Sequence, residues 1–128
     1  MKLNKIHHIA LIVSDYTKSK EFYTKILGLD VLKETFRAER NSYKLDLALN
    51  GEYIIELFSF TDYVTRPSYP EALGLRHLAF EVDDIEYSVS KLVKHNIDTE
   101  CIRIDKTTGK KFVFFQDPDG LPIEFYEK

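Results

Sequence analysis

Hydrophobic and polar positions along the chain fall into one order of elements, then into the same order again. Residues 6–13 are apolar and β-branched and predict a strand, with Ser14 or Asp15 placed to cap the helix that follows. Tyr16, Ser19, Phe22, Tyr23 and Ile26 recur at helical spacing, and Gly28 marks the stop. "VLKETF" predicts a strand. "SYKLDLAL" alternates, with Tyr43, Leu45, Leu47 and Leu49 on one face and Ser42, Lys44, Asp46 and Ala48 on the other. Asn50-Gly51 is a strong hairpin signal and leads into the strand "EYIIELFSF". Residues 61–73 hold Pro67 and Pro70 with little periodicity, and read as a connector.

The second half repeats the plan. "RHLAFEV" predicts a strand, and Asp84 caps a helix carrying Ile85, Val89, Leu92 and Val93, with Asn96 near its end. "DTECIRID" predicts a strand, residues 105–110 a polar turn, "KFVFFQ" a strand, "DPDG" a turn and "LPIEFYE" the last strand. "GLRHLAFEVDD" echoes "HHIALIVSD" at an offset of 69 residues, matching His8/His77, Ala10/Ala79, Val13/Val82, Asp15/Asp84 and Ser19/Ser88. The expected fold class is α+β: two tandem βαβββ modules forming a cupped mixed sheet with helices on its outer face. They would make one domain over residues 1–128, with module one at about 1–60, the connector at about 61–73 and module two at about 74–128.

Composition narrows the partners. An apolar content of 44% in 128 residues suffices for a core. A net charge of −3 offers no electrostatic footprint for nucleic acid or an anionic membrane surface. No apolar stretch approaches the roughly 20 residues of a membrane span. "MKLNK" runs straight into "IHHIALIV" with no cleavage-site pattern, so no signal peptide is expected. Cys101 is the single cysteine and cannot close an intrachain disulfide, which suits the reducing cytoplasm.

The repeat also carries candidate chemistry. Each copy has a His on its first strand and a Glu on its last: His8 with Glu56, 48 residues apart, and His77 with Glu124, 47 apart. A carboxylate in an apolar strand is costly without a partner, and a metal ion is one of the best. Parity sets His8 with Ala10 and Ile12, His77 with Ala79 and Glu81, Glu56 with Ile54 and Phe58, and Glu124 with Pro122 and Tyr126, away from the faces that pack under helices. Two His and two Glu suit one divalent ion among Ni, Zn, Mn, Fe and Co. In six-coordination such a set leaves two positions for substrate oxygens, the layout for Lewis-acid polarisation. A ligand Glu could also leave the metal and act as a base. His7 competes with His8, but its parity sends it to the helix-packed face, and Arg76 stands in its place in the second copy. His95 lies near a helix end, where a cation is favourable. Lys44, Phe58, Arg76 and Tyr126 are candidates for substrate binding, and Arg37, Arg40, Arg66 and Arg103 are further cations able to hold an anion.

The stretches "HHIALIVSD", "SKEFYTKILGL", "YIIELF", "GLRHLAFEVDD" and "FFQDPDGLPIEFYE" together resemble the vicinal oxygen chelate superfamily, also called the glyoxalase/bleomycin resistance/dioxygenase family. "LALNGEYIIELFSF" and "RPSYPEALGLRHLAF" are similar to its small bacterial YaeR-like branch. The resemblance covers nearly the whole chain and implies paired βαβββ modules around a divalent metal. The family's four ligand places fall on His8, Glu56, His77 and Glu124. A complete His-Glu-His-Glu set looks most like metal-dependent glyoxalase I, lactoylglutathione lyase, with epimerase-like chemistry close to it. The resemblance thus implies a metal-dependent lyase or isomerase, with Glu56 and Glu124 as base and acid partner in no given order, and a homodimer. Alternatives are a transferase or dioxygenase of the same superfamily, or a small-molecule-binding or resistance protein. Glyoxalase I enzymes usually carry Arg four residues after the first ligand to hold the glutathione carboxylate; here that residue is Ile12, which puts glutathione in doubt.

Overall fold

The computed structural model describes residues 1–128, and β1 (Ile9–Val13) opens the first of two units, Met1–Val64 and Thr65–Lys128. The Asp15 side chain then accepts from Lys18 N at 3.0 Å and caps α1 (Tyr16–Glu21), which widens into a π-helical turn over Phe22–Ile26. Gly28 ends it at φ 80°, where a Cβ would meet no atom; the requirement is on the backbone angle alone. β2 (Asp30–Arg37), β3 (Ser42–Leu49) and β4 (Glu52–Ser59) complete a sheet of order β1-β4-β3-β2, with β1 parallel to β4 and the other pairs antiparallel. Asn50 and Gly51 make the β3–β4 turn, both at positive φ (52° and 82°), as a hairpin of matching twist requires.

The second unit repeats this order. β5 (Leu78–Val82) leads to α2 (Ile85–Lys94), capped by Asp84, whose side chain accepts from Tyr87 N at 2.8 Å. β6 (Arg103–Ile104), β7 (Lys111–Gln116) and β8 (Pro122–Glu127) follow, in sheet order β5-β8-β7-β6, with β5 parallel to β8. Each sheet buries one face. In the first unit Val13, Phe22, Tyr23, Leu45, Leu47, Ile55 and Leu57 are buried, and in the second Ile85, Leu92, Val113, Phe115, Ile123 and Phe125. Truncating a fully buried member such as Leu47 to Ala costs about 2–5 kcal/mol.

Several elements depart from the sequence expectation. The first strand begins at Ile9, not residue 6, so the parity that assigned His7 to the helix-packed face does not reach it: His7 is exposed and stands beside His8. "DTECIRID" yields only Arg103–Ile104 and a lone bridge from Thr99 to Phe115, because strand-averse acidic residues interrupt its apolar ones. Val93 is 59% exposed, because it lies one step round the helix from buried Leu92. At the end of β3 burial departs from the alternation: Ala48, on the face of Asp46, is buried and Leu49 is exposed. The partner strand β4 carries a bulge. Ala48 pairs with Tyr53 but Leu47 with Ile55, so Ile54 has no cross-strand partner and every residue beyond it changes face relative to the turn. No helix is long and apolar enough to cross a membrane.

Candidate functional site

The two His–Glu pairs form, one in each unit. His8 immediately precedes β1 and His77 immediately precedes β5. His8 Nε2 lies 3.6 Å from Glu56 Oε2, and His77 Nε2 lies 3.1 Å from Glu124 Oε2. The ladders explain both meetings. Ala10 pairs in parallel register with Glu56, and Ala79 with Glu124, so the His two residues earlier shares the face of the Glu and reaches it past a methyl group. Neither unit gathers three metal-ligating side chains by itself.

The surroundings of the first pair are polar. Asp46 stands directly across the ladder from Glu56, a like-charge pairing that is unfavourable alone. Two groups offset it. Lys44 Nζ lies 3.3 Å from Asp46 and 3.6 Å from Glu56, and the Tyr53 hydroxyl lies 2.5 Å from Glu56 and 3.0 Å from Asp46. A phenol has one proton, so Tyr53 donates to one carboxylate at a time, with the shorter contact going to Glu56. Burial, with these hydrogen bonds added, pushes the Tyr53 phenol well above its ordinary range and keeps it a donor. Tyr53 and Glu56 are three apart, an odd spacing that would set them on opposite faces of a regular strand; the bulge at Ile54 brings them together. The Tyr53 ring also stacks on His8 at 5.1 Å. His8 Nδ1 lies 2.8 Å from His7 Nδ1; when His8 is the donor there, its Nε2 keeps the lone pair a metal ligand needs.

The second pair sits among rings. Phe114 faces Glu124 across the ladder, and its ring meets His77 edge-on at 5.1 Å.

Of the substrate-binding candidates, Lys44 and Phe58 lie on the face of Glu56 and Tyr126 on that of Glu124, whereas Arg76 and the Tyr126 hydroxyl are engaged with other partners. Arg76 is exposed and paired with Glu71 at 3.1 Å. The Tyr126 hydroxyl contacts Asp105 Oδ2 at 3.0 Å and the Thr108 hydroxyl, pinning the turn before β7. Arg66 is spent on the carbonyls of Leu75 and Arg76, Arg103 on Glu100, and His95 caps α2. Strand alternation sets Asp46 on the face of Lys44 but reveals neither its place opposite Glu56 nor the approach of Tyr53. The sign of them is a conflict in the sequence: a two-residue Asn-Gly turn run without interruption would pair polar-face residues of β3 with apolar-face residues of β4, and only an extra residue resolves it. A surface depression of about 550 Å³ lined by Tyr16, Lys20, Glu34 and Tyr43 belongs to the helix side of the first sheet.

Comparison with known proteins agrees with the fold. Residues 5–125 match the model of the glyoxalase/bleomycin resistance protein/dioxygenase superfamily. YaeR of Escherichia coli (strain K12) is 57% identical over 126 residues, covering 98% of both chains. A lactoylglutathione lyase of Escherichia coli O157:H7 is more distant, 31% identical over 132 residues that cover 97% of this chain and 93% of the lyase. Among solved structures, a glyoxalase family protein from Enterococcus faecalis superposes with a TM-score of 0.90 at 50% identity, covering 99% of this chain and all of that one. The chain belongs to the glyoxalase/bleomycin resistance/dioxygenase superfamily, close to YaeR.

Proposed function

We propose that this superfamily member is a divalent-metal-dependent enzyme of glyoxalase I type, a lyase or isomerase that moves a proton on a small substrate chelated through two oxygens. The observation that carries this is the recurrence of one His–Glu pair at the same place in both units. The donors suit the ion: two ligands at 2.0–2.2 Å from one metal and at right angles to each other stand about 3 Å apart. His77–Glu124 is at 3.1 Å and His8–Glu56 at 3.6 Å. His8, Glu56, His77 and Glu124 would hold the ion, which when bound supplies Lewis-acid polarisation of a substrate oxygen. The chain's own residues do the rest. Glu56 is fixed in place by Tyr53 and Lys44. Glu124, lined by Phe114 and paired with His77, would be the carboxylate that takes up a proton. Function as a homodimer in the cytoplasm belongs to the same proposal.

Metal content of the untagged protein, measured by mass spectrometry, tests it. About one divalent ion per chain is expected in wild type, and weakened retention in both Glu56→Gln and His77→Ala. A wild type that holds no ion after incubation with nickel, zinc, manganese or iron overturns the proposal in favour of a small-molecule-binding or resistance protein. With metal established, iron-dependent oxygen uptake would redirect it to a dioxygenase, and thiol addition to an epoxide to a transferase.

A further inference from the structure

Arg37, at the end of β2, is a half-buried arginine with no carboxylate opposite it. Its guanidinium lies 4.8 Å above the centre of the Phe58 ring and 5.7 Å from that of Phe60, two rings stacked on each other at 5.7 Å. Its Nη2 donates to the Ser42 hydroxyl at 3.0 Å, and its buried Nε finds no acceptor. No carboxylate lies within 4.0 Å of it, whereas Arg76 and Arg103 each have one. Arg103 is the informative contrast. It stands over Phe112 at the same 4.8 Å and near Phe114 at 5.7 Å, but Glu100 neutralises it at 2.9 Å. The same arginine-on-aromatic device is therefore closed in one unit and open in the other.

Position gives the open one a use. Ser42 pairs with Arg37, and its small side chain lets the guanidinium cross β3 to reach Phe58 on β4. Phe58 pairs with Lys44 and, on its other side, with Ile12. Phe58 and Glu56 are two apart on one strand, so they share a face at a separation of about 7 Å. A half-buried guanidinium without a counter-charge, backed by rings and with a fork of donors, is built to take a planar or tetrahedral oxyanion.

We propose that Arg37 is the anion seat of the substrate site: the substrate carries a carboxylate or phosphate that reaches Arg37 along the sheet face it shares with Phe58 and Glu56. This names the substrate class and rests, for what the anion is attached to, on the metal-chelating function proposed above. The seat itself is testable apart from it. Full-length, ¹⁵N-labelled protein as purified is titrated with inorganic phosphate and, separately, with acetate at constant ionic strength, and followed by NMR including the arginine Nε–H signals. The expected result is a saturable shift of the Arg37 Nε–H and the Ser42 and Phe58 amides with at least one anion. Anion affinity read from the Ser42 and Phe58 amides should weaken about tenfold or more in Arg37→Met and in Arg37→Lys, which lacks the fork, and persist in Arg103→Met. Saturation with phosphate points to a phosphate ester, and with acetate to a carboxylic acid. No saturable shift in wild type, or an undiminished one in Arg37→Met, overturns the seat. Its loss in a protein that still holds one metal per chain sinks the anion seat alone; a working seat in a protein that holds no metal sinks the chelating function alone.

Discussion

The two units build the same His–Glu pair and surround it with opposite chemistry. Opposite Glu56 in the ladder stands Asp46, and opposite Glu124 stands Phe114; one pair further along, Lys44 and Phe112 occupy equivalent places. Three residues before Glu56 is Tyr53, bonded to it, and three before Glu124 is Leu121, which is buried. The difference teaches that the backbone ladder fixes where the paired groups sit, while the residues across it decide how tightly each carboxylate is held. Glu56 has Tyr53, Lys44 and His8 as partners, and Glu124 has His77.

The largest effect that would sharpen this contrast is catalytic. Glu124→Gln should lower turnover, or hydrogen–deuterium exchange at the substrate carbon, by about 10²–10⁴-fold, the range for loss of a general base. Equal loss from Glu56→Gln with metal retained would break the assignment of different roles to the two units. Next comes Tyr53→Phe, which leaves Glu56 and Asp46 facing each other with only Lys44 between them. Metal affinity, read by chelator competition, should fall about 10- to 100-fold, as for other groups that orient a ligand. Phe114→Ala in the second unit should instead cost about 1.5 kcal/mol of stability in urea unfolding, half the lower figure for a fully buried Phe because its ring is half-buried.

The smallest effect concerns how each helix is tied to its sheet. Lys20 of α1 reaches Glu34 of β2 at 2.6 Å, and Glu86 of α2 reaches Lys111 of β7 at 2.5 Å. The Lys20 ammonium, joined by the Tyr16 hydroxyl, holds the Glu34 carboxyl below its ordinary range. A carboxylate depressed on folding adds stability above the unfolded value of about pH 4.3 and loses it as pH falls through the folded one. Glu34→Gln should therefore be neutral in acid and cost at most a few tenths of a kcal/mol at pH 7, since the pair is solvent-screened. A larger loss would show the Tyr16–Glu34–Lys20 group to be more than a surface tie.

What was legible in the sequence was local or repeated. Asp15, Asp84 and Asn50-Gly51 signal caps and a turn through their own backbone preferences, and the His/Glu spacing is visible because it occurs twice. What was hidden depends on neighbours far along the chain. Arg37 gives no hint in its own segment that Phe58 lies beneath it, because a serine on the intervening strand makes the approach possible. Tyr53 was obscured because alternation is counted from the turn, and a single unpaired isoleucine resets the count. The segment before Arg103 carries apolar residues enough for a strand, but its acidic neighbours leave only two residues in the ladder.

Opposite each carboxylate, on the parallel neighbour strand, the residue is alanine: Ala10 in one unit and Ala79 in the other. In evolutionary terms these two methyl groups are dials. Both residues are exposed, so exchanging them disturbs no core, and alanine to serine, valine or threonine is a single-base change. Lineages could thereby alter the room beside one carboxylate while the duplicate pair elsewhere in the chain stays as inherited.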